Sequence, residues 1–184
     1  MIPAGSVVSG DRARLFCALR LPDGVLDALE EWQRLEVTRG RPVPRPNLHV
    51  TLAFLGSTPS ERTDDVAAAL GDAAARARPI ELAPERYRET RSVGMLVLSD
   101  AEGAATAVAE DLHGRLEGLG VYEREARRWL PHLTVVRFRE RPRLRPKLPE
   151  TGPFAPSDAA VYLSRLRPSG AEYVVLESVE LGGM

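Results

Sequence analysis

Three histidines occur in the 184 residues of this chain, and two of them stand in matching surroundings. One stretch reads N-L-H-V-T-L-A-F-L-G, from Asn47 to Gly56; the other reads W-L-P-H-L-T-V-V-R-F, from Trp129 to Phe138. Each places a threonine two positions after the histidine and fills the remainder with apolar residues. Residues two apart on a β-strand project from one face. His49 and Thr51 therefore point together, as do His132 and Thr134. Strict alternation sends Leu48, Val50, Leu52 and Phe54, like Leu133 and Val135, to the opposite face, where they can form core.

Imidazole, with an ordinary pKa of about 6.5, can give or take a proton near neutrality. The threonine hydroxyl adds a hydrogen-bond donor beside it. Two such units facing each other would supply a general acid, a general base and two donors for the non-bridging oxygens of a phosphate. That set suffices for in-line displacement at phosphorus without a metal. A single H-x-T has no such meaning, because most strand histidines are ordinary partial-core residues. Threonine is sparse here, however, and two occurrences in one apolar frame are a poor candidate for coincidence. His113 lacks that frame and lies in a helical stretch, so it is expected to pack at the surface or boundary.

The elements that must position the two motifs can be read in order. R-A-R-L-F-C-A-L-R (12–20) is a strand, and a helix follows to about Glu36, with Asp23 as a plausible cap and Val25, Leu29 and Trp32 on its apolar side. A proline-rich loop leads into the first histidine strand. Thr58, Pro59 and Glu61 look like a helix-starting box, followed by an alanine-rich helix to about Ala77. Residues 79–89 and 92–99 are expected strands, and a helix spans about Glu102 to Leu119. The second histidine strand comes next, then a proline-rich connector from Arg141 to Pro156, then a closing hairpin.

Strand, helix and histidine strand thus occur twice, over roughly 12–56 and 93–139. Leu15 precedes His49 by 34 residues, and Leu96 precedes His132 by 36. A duplicated unit can pair about a pseudo-two-fold axis, bringing both motifs to one seam. Residues 1–11 show no periodicity and are expected to be a loose tail; residues 12–184 are expected to form one domain.

Composition narrows the function classes. Hydrophobic residues make up 43% and charged residues 28%, ordinary values for a soluble globular protein. No apolar run approaches a membrane span and no signal segment opens the chain, so a cytoplasmic protein is the default expectation. The single Cys17 excludes an intrachain disulfide, and its L-F-C-A-L setting reads as inert core. No zinc-type ligand spacing, Walker loop, Rossmann fingerprint or serine-nucleophile elbow is present. The net charge of −1 conceals cationic flanks: Arg39, Arg41 and Arg45 before the first motif, and nine cationic residues between Arg124 and Lys147 around the second. An anionic ligand would need such flanks, although an arginine-rich composition could also produce them.

With these residues in view, the chain resembles the two-histidine phosphoesterase superfamily, and within it the bacterial and archaeal RNA 2',3'-cyclic phosphodiesterases, historically called 2'-5' RNA ligases. The resemblance rests on R-L-F-C-A-L, L-H-V-T-L-A-F-L-G, P-H-L-T-V-V-R and V-Y-L-S-R-L-R-P-S-G-A-E-Y-V-V-L, and covers most of the chain. It implies a bilobal α+β fold with an antiparallel sheet in each lobe and both histidines in a central cleft. It also implies hydrolysis of an RNA or nucleotide 2',3'-cyclic phosphate to a 2'-phosphomonoester, with no metal or other cofactor, in a monomer that acts on RNA ends and not on membranes. In that scheme His49 is the proton donor, His132 the proton acceptor, and Thr51 and Thr134 hold the phosphate oxygens. Arg137 matches a family arginine expected near substrate, yet strict alternation puts it opposite His132, so that role requires a bulge or twist. Tyr87 and Arg45 are further candidates, for base stacking and backbone contact. The same site run in reverse would be a 2'-5' RNA ligase, and a non-catalytic RNA-end or nucleotide-binding module would use the same cleft.

Overall fold

Alternating residues of Arg12–Arg20 (β1) meet two different surfaces. Leu15, Cys17 and Leu19 are buried on one side, Cys17 and Leu19 within the main core, while Phe16 and Ala18 belong to a separate small cluster on the other face. The computed structural model describes residues 11–182, so the expected leading tail lies outside the described residues except for Asp11. After β1 come helix α1 (Asp23–Glu36), the two-residue strand β2 (Arg41–Pro42), β3 (Val50–Pro59), α2 (Thr63–Ala75), the β4–β5 hairpin (Ala83–Glu89 and Val93–Ser99), α3 (Ala104–Gly118), β6 (His132–Arg137), and the β7–β8 hairpin (Asp158–Arg167 and Gly170–Val179).

All the strand pairings are antiparallel, in the order β4-β5-β6-β3-β1-β7-β8, with β2 added to β6. The two histidine strands are neighbours at the centre, joined through one register pair, Val50 with Leu133. Each half-sheet then runs outward in corresponding order, β6-β5-β4 on one side and β3-β1-β7 on the other, with β8 as an extra edge. This is the duplicated, two-lobed α+β arrangement that the repeat implies.

The helices cover one face of the sheet. Leu29, Trp32, Leu52, Leu70, Leu112 and Leu133 are among the buried residues of a single cluster that crosses the seam. Each fully buried leucine contributes roughly 1.5–3 kcal/mol. The covering is exchanged between the halves. Gln33 of α1, which belongs with β1 and β3, donates its Nε2 to the carbonyls of Val43 and Val135, behind β6. His113 of α3, which belongs with β5 and β6, bonds through Nε2 to the carbonyl of Leu52 on β3, 2.7 Å away. His113 is thus buried core, stacked on Tyr122, not surface or boundary packing.

Two helix starts differ from the sequence expectation. Pro22, not Asp23, is the N-cap of α1; Asp23 falls in the first turn, where its charge favours the helix dipole. Thr58 does not cap α2, because the β1–β3 ladder continues through Ala13–Thr58 and Arg12–Pro59 and holds it in the strand. A 3-10 turn at Ser60–Arg62 intervenes, and α2 begins at Thr63. The first expected strand of the β4–β5 hairpin also starts later, at Ala83, after Leu82 pairs in an isolated bridge with Phe154.

Candidate active site

The two histidine strands share an irregularity immediately after their threonines. On β3 the register passes from Ala18–Thr51 to Cys17–Ala53, leaving Leu52 without a partner. On β6 it passes from Met95–Thr134 to Gly94–Val136, leaving Val135 without one. These are β-bulges, each leaving one residue out of register with the neighbouring strand. The carbonyl of Leu52 is capped by His113, and that of Val135 accepts from both the Val43 amide and Gln33. An extra residue in the strand also reverses the parity beyond it. Leu52 and Ala53 are both buried, as are Val135 and Val136, and the next residues, Phe54 and Arg137, return to the face of the histidines.

That puts Arg137 on the same face as the histidines, and corrects the expectation for Phe54. Instead of entering the core, Phe54 is 49% exposed on the open face, with the Arg14 guanidinium 4.8 Å from its ring centroid. Gly94 makes the second bulge possible. A Cβ there would lie 2.6 Å from Val136 Cγ1 and would overlap the Tyr87 hydroxyl.

His49, Thr51, His132, Thr134 and Arg137 all line one groove of about 690 Å³ on the open face of the sheet. Both imidazoles are anchored alike. His49 Nδ1 lies 2.8 Å from the carbonyl of Asn47, and His132 Nδ1 lies 2.8 Å from that of Leu130. A carbonyl only accepts, so each Nδ1 carries the proton and donates it. Each Nε2 is therefore the chemically available nitrogen. His49 Nε2 accepts from the Thr51 hydroxyl at 3.0 Å, whereas His132 Nε2 has no protein partner among the described residues.

Their surroundings differ more than their anchors. His49 sits among Phe16, Tyr173 and Tyr162, with ring centroids 4.9, 5.5 and 5.9 Å away. Burial lowers its pKa to about 4, opposed by the Asn47 carbonyl and reinforced by His132 and by the charge of Arg137 nearby. With no anion beside it, His49 is thus neutral at pH 7.

The groove is electropositive. Arg14, Arg41 and Arg137 line it, no aspartate or glutamate does, and none of the three arginines has a carboxylate partner among the described residues. Arg45 is elsewhere: its guanidinium is taken up by Asp23, Asp27 and Glu30 of α1, so it is not available as a backbone contact in the groove. Tyr87 also lies outside, on β4, donating its hydroxyl to Glu89 and lining a separate cavity.

Residues 21–168 match the model of the 2'-5' RNA ligase superfamily. The chain belongs to this superfamily. Among relatives of this superfamily member, an RNA 2',3'-cyclic phosphodiesterase of Thermus thermophilus is 35% identical over 188 aligned positions, covering 92% of this chain and 91% of that protein. One of Methanocaldococcus jannaschii is 21% identical, covering 89% and 98% respectively. A solved protein of Thermus thermophilus superposes with a TM-score of 0.74 at 30% identity, over 92% of this chain and 98% of that one. Escherichia coli LigT complexed with 3'-AMP gives a TM-score of 0.78 at 22% identity, over 94% and 99%, a likeness of fold.

Sequence reading alone singles out none of Arg14, Phe16, Phe54 and Gln33 for the site, and marks Arg41 only as part of a cationic flank. One local signal is available for Phe54: T-L-A-F and T-V-V-R each put two apolar residues after the threonine where alternation allows one, which is the trace of a bulge. Nothing local marks Arg14, which reaches the groove through β1, whereas Arg41 of the cationic flank reaches it through β2.

Proposed function

We propose that this protein hydrolyses 2',3'-cyclic phosphate ends of RNA or nucleotides to 2'-phosphomonoesters, using His49 and His132 as the acid–base pair. The observation that carries the proposal is the pair of Nδ1-anchored imidazoles presenting Nε2 to one groove that holds three arginines and no carboxylate. The naming of the Thermus and Methanocaldococcus relatives as RNA 2',3'-cyclic phosphodiesterases supports the same reaction.

His132 Nε2 accepts a proton from water as the water oxygen bonds to phosphorus. The bond from phosphorus to the 3' oxygen breaks, and His49 Nε2 protonates the departing oxygen. Thr51 and Thr134 donate to the non-bridging oxygens, and Arg137 complements the phosphate charge. Thr51 starts out bonded to His49 Nε2, so it must turn to the phosphate as His49 takes up its proton. Phe54, with Arg14 beside it, offers a flat apolar face to a nucleobase, a sequence-tolerant contact. Among the described residues no helix is long and apolar enough to cross a membrane.

The test is incubation with a nucleoside 2',3'-cyclic phosphate in the presence of a chelator, followed by phosphorus NMR. The expected product is the 2'-phosphate. A 3'-phosphate would exchange the roles of the two histidines, and absence of turnover across the range from mildly acidic to mildly alkaline pH would refute the proposal.

A further inference from the structure

The groove does not use the densest arginine cluster of the chain. After Arg137 the backbone leaves β6 and crosses the end of the β4–β5 hairpin, whose Val93 pairs with Arg137 itself. Arg141 follows Arg137 by four residues, at most about 14 Å of extended chain. From there exposed and half-buried residues alternate: Arg141, Arg143, Arg145 and Lys147 face outward, and Pro142, Leu144 and Pro146 face the protein. Arg88 of β4 joins Arg141, Arg143 and Arg145 around a second cavity of about 410 Å³.

An arginine run on a protein surface is usually only solvated charge, but this one is built. Glu89, the last residue of β4, has a side chain only 3% exposed and spends it on the strap. It accepts hydrogen bonds from the backbone amides of Arg143 and Leu144, at 2.9 and 2.7 Å, from Arg141 Nε at 3.2 Å, and from the Tyr87 hydroxyl at 3.0 Å. Burial alone would push the Glu89 carboxyl up, yet the amides of Leu144 and Arg143, with Tyr87 and Arg141, outweigh it and hold the pKa below the usual range. Arg143 is the one non-glycine residue with positive φ among the described residues, at 58°. Such a backbone persists only where the surroundings enforce it. Arg88, Arg143 and Arg145 have no carboxylate partner among the described residues, and the sole acid lining the cavity is the occupied Glu89.

We propose that this Glu89-anchored strap is a second RNA subsite, in which Arg88, Arg143 and Arg145 contact backbone phosphates of the strand leading to the cyclic end. The proposal rests on the reading of the groove as the cyclic-phosphate site. The strap supplies affinity for a polynucleotide that a mononucleotide cannot exploit, because only a polynucleotide carries further backbone phosphates. It makes no base contact, so it discriminates by length rather than sequence.

Each phosphate neutralised on a single strand adds about 0.7 to the slope of log affinity against log salt. Turnover of a short RNA with a 2',3'-cyclic end should therefore show a salt slope in kcat/KM steeper by about 2 than that of a nucleoside 2',3'-cyclic phosphate. Arg88→Gln/Arg143→Gln/Arg145→Gln should erase that difference while the melting temperature stays near wild type. Equal slopes for the two substrates in wild type, or an undiminished difference in the triple variant, would overturn the strap. Equilibrium binding of an RNA with an ordinary 3'-hydroxyl end reads the strap without the chemistry. Strap-dependent binding without any turnover would refute the reaction and spare the subsite, and turnover with strap-independent binding would do the reverse. If polyglutamate competed as well as the RNA, the strap would be a dock for an acidic protein and the proposal would fail.

Discussion

The acid assigned to His49 carries a demand that can be worked out. Burial among Phe16, Tyr162 and Tyr173 brings its pKa to about 4, so only about one molecule in a thousand is protonated there at pH 7. Three pH units correspond to about 4 kcal/mol, which something must supply before His49 can protonate a leaving oxygen. The substrate carries the remedy. A phosphate anion about 4 Å from the imidazole, at the effective dielectric of about 20 suited to such sites, favours the imidazolium by about 4 kcal/mol. Binding should therefore charge His49 at neutral pH, and Thr51 should release Nε2 at the same moment. Histidine ring NMR provides the assay, titrating the free protein and the protein saturated with a nucleoside 2'-phosphate. The His49 midpoint should move from about 4 to near neutrality, and its Nε2 should change from acceptor to donor. If the midpoint stayed near 4 in the saturated complex, His49 could not be the acid and the scheme would have to be reversed or abandoned.

Other consequences are checked more simply. His49→Ala and His132→Ala should each lower kcat by about 10²–10⁴ in the cyclic-phosphate assay without unfolding the protein, and a variant keeping most of its rate would demote that histidine. Because folded His49 binds its proton only near pH 4 while an unfolded histidine does so near 6.5, the unfolded state takes up more protons between them. Stability should accordingly fall as pH drops from about 6.5 to 4, by up to about 3 kcal/mol, and urea titrations of His49→Gln should lack that component. Gln33→Leu strips a donor from the Val43 and Val135 carbonyls and should destabilise by about 1–3 kcal/mol, with a higher KM because the bulge aiming Arg137 loosens; unchanged denaturation would remove the clamp from the account. Gly94→Ala forces a Cβ against Val136 and Tyr87 and should lose about 1–3 kcal/mol by calorimetry.

Much of the architecture was legible because it is carried by local pattern. The apolar stripe of Val25, Leu29 and Trp32 announces α1, and the H-x-T spacing brings each imidazole and its threonine to one groove. What stayed hidden is what strict periodicity denies. A bulge adds one residue, and from that point parity predicts the wrong face, which is why Arg137 looked misdirected and Phe54 looked buried. One helix start failed for a related reason: a capping signature at Thr58 competes with a ladder to β1 that local sequence does not display. Arg45 illustrates the limit for charge. Its position beside the first motif suggested substrate, but three acids one helix away claim it. Only the fold decides which arginines remain available to an anion.

The repeat accounts for where the two histidines are, but not for why they should do different work. Identical motifs, each with Nδ1–H fixed on the carbonyl two residues earlier, would present two equivalent nitrogens, and an acid–base reaction needs inequivalent ones. The difference enters through the aromatic rings around one of them. The closing hairpin lies only on the β3 side, and its Tyr162 and Tyr173, with Phe16, enclose His49; among the described residues no aromatic ring stacks on His132. These rings thus turn a symmetric pair into one desolvated imidazole that takes a proton only with an anion beside it, and one whose Nε2 has no protein partner among the described residues. On this argument, thinning the aromatic shell through Tyr173→Leu should raise the free-protein pKa of His49 and narrow the gap between its free and bound values. A variant in which neither value moved would show that the asymmetry arises somewhere other than the hairpin.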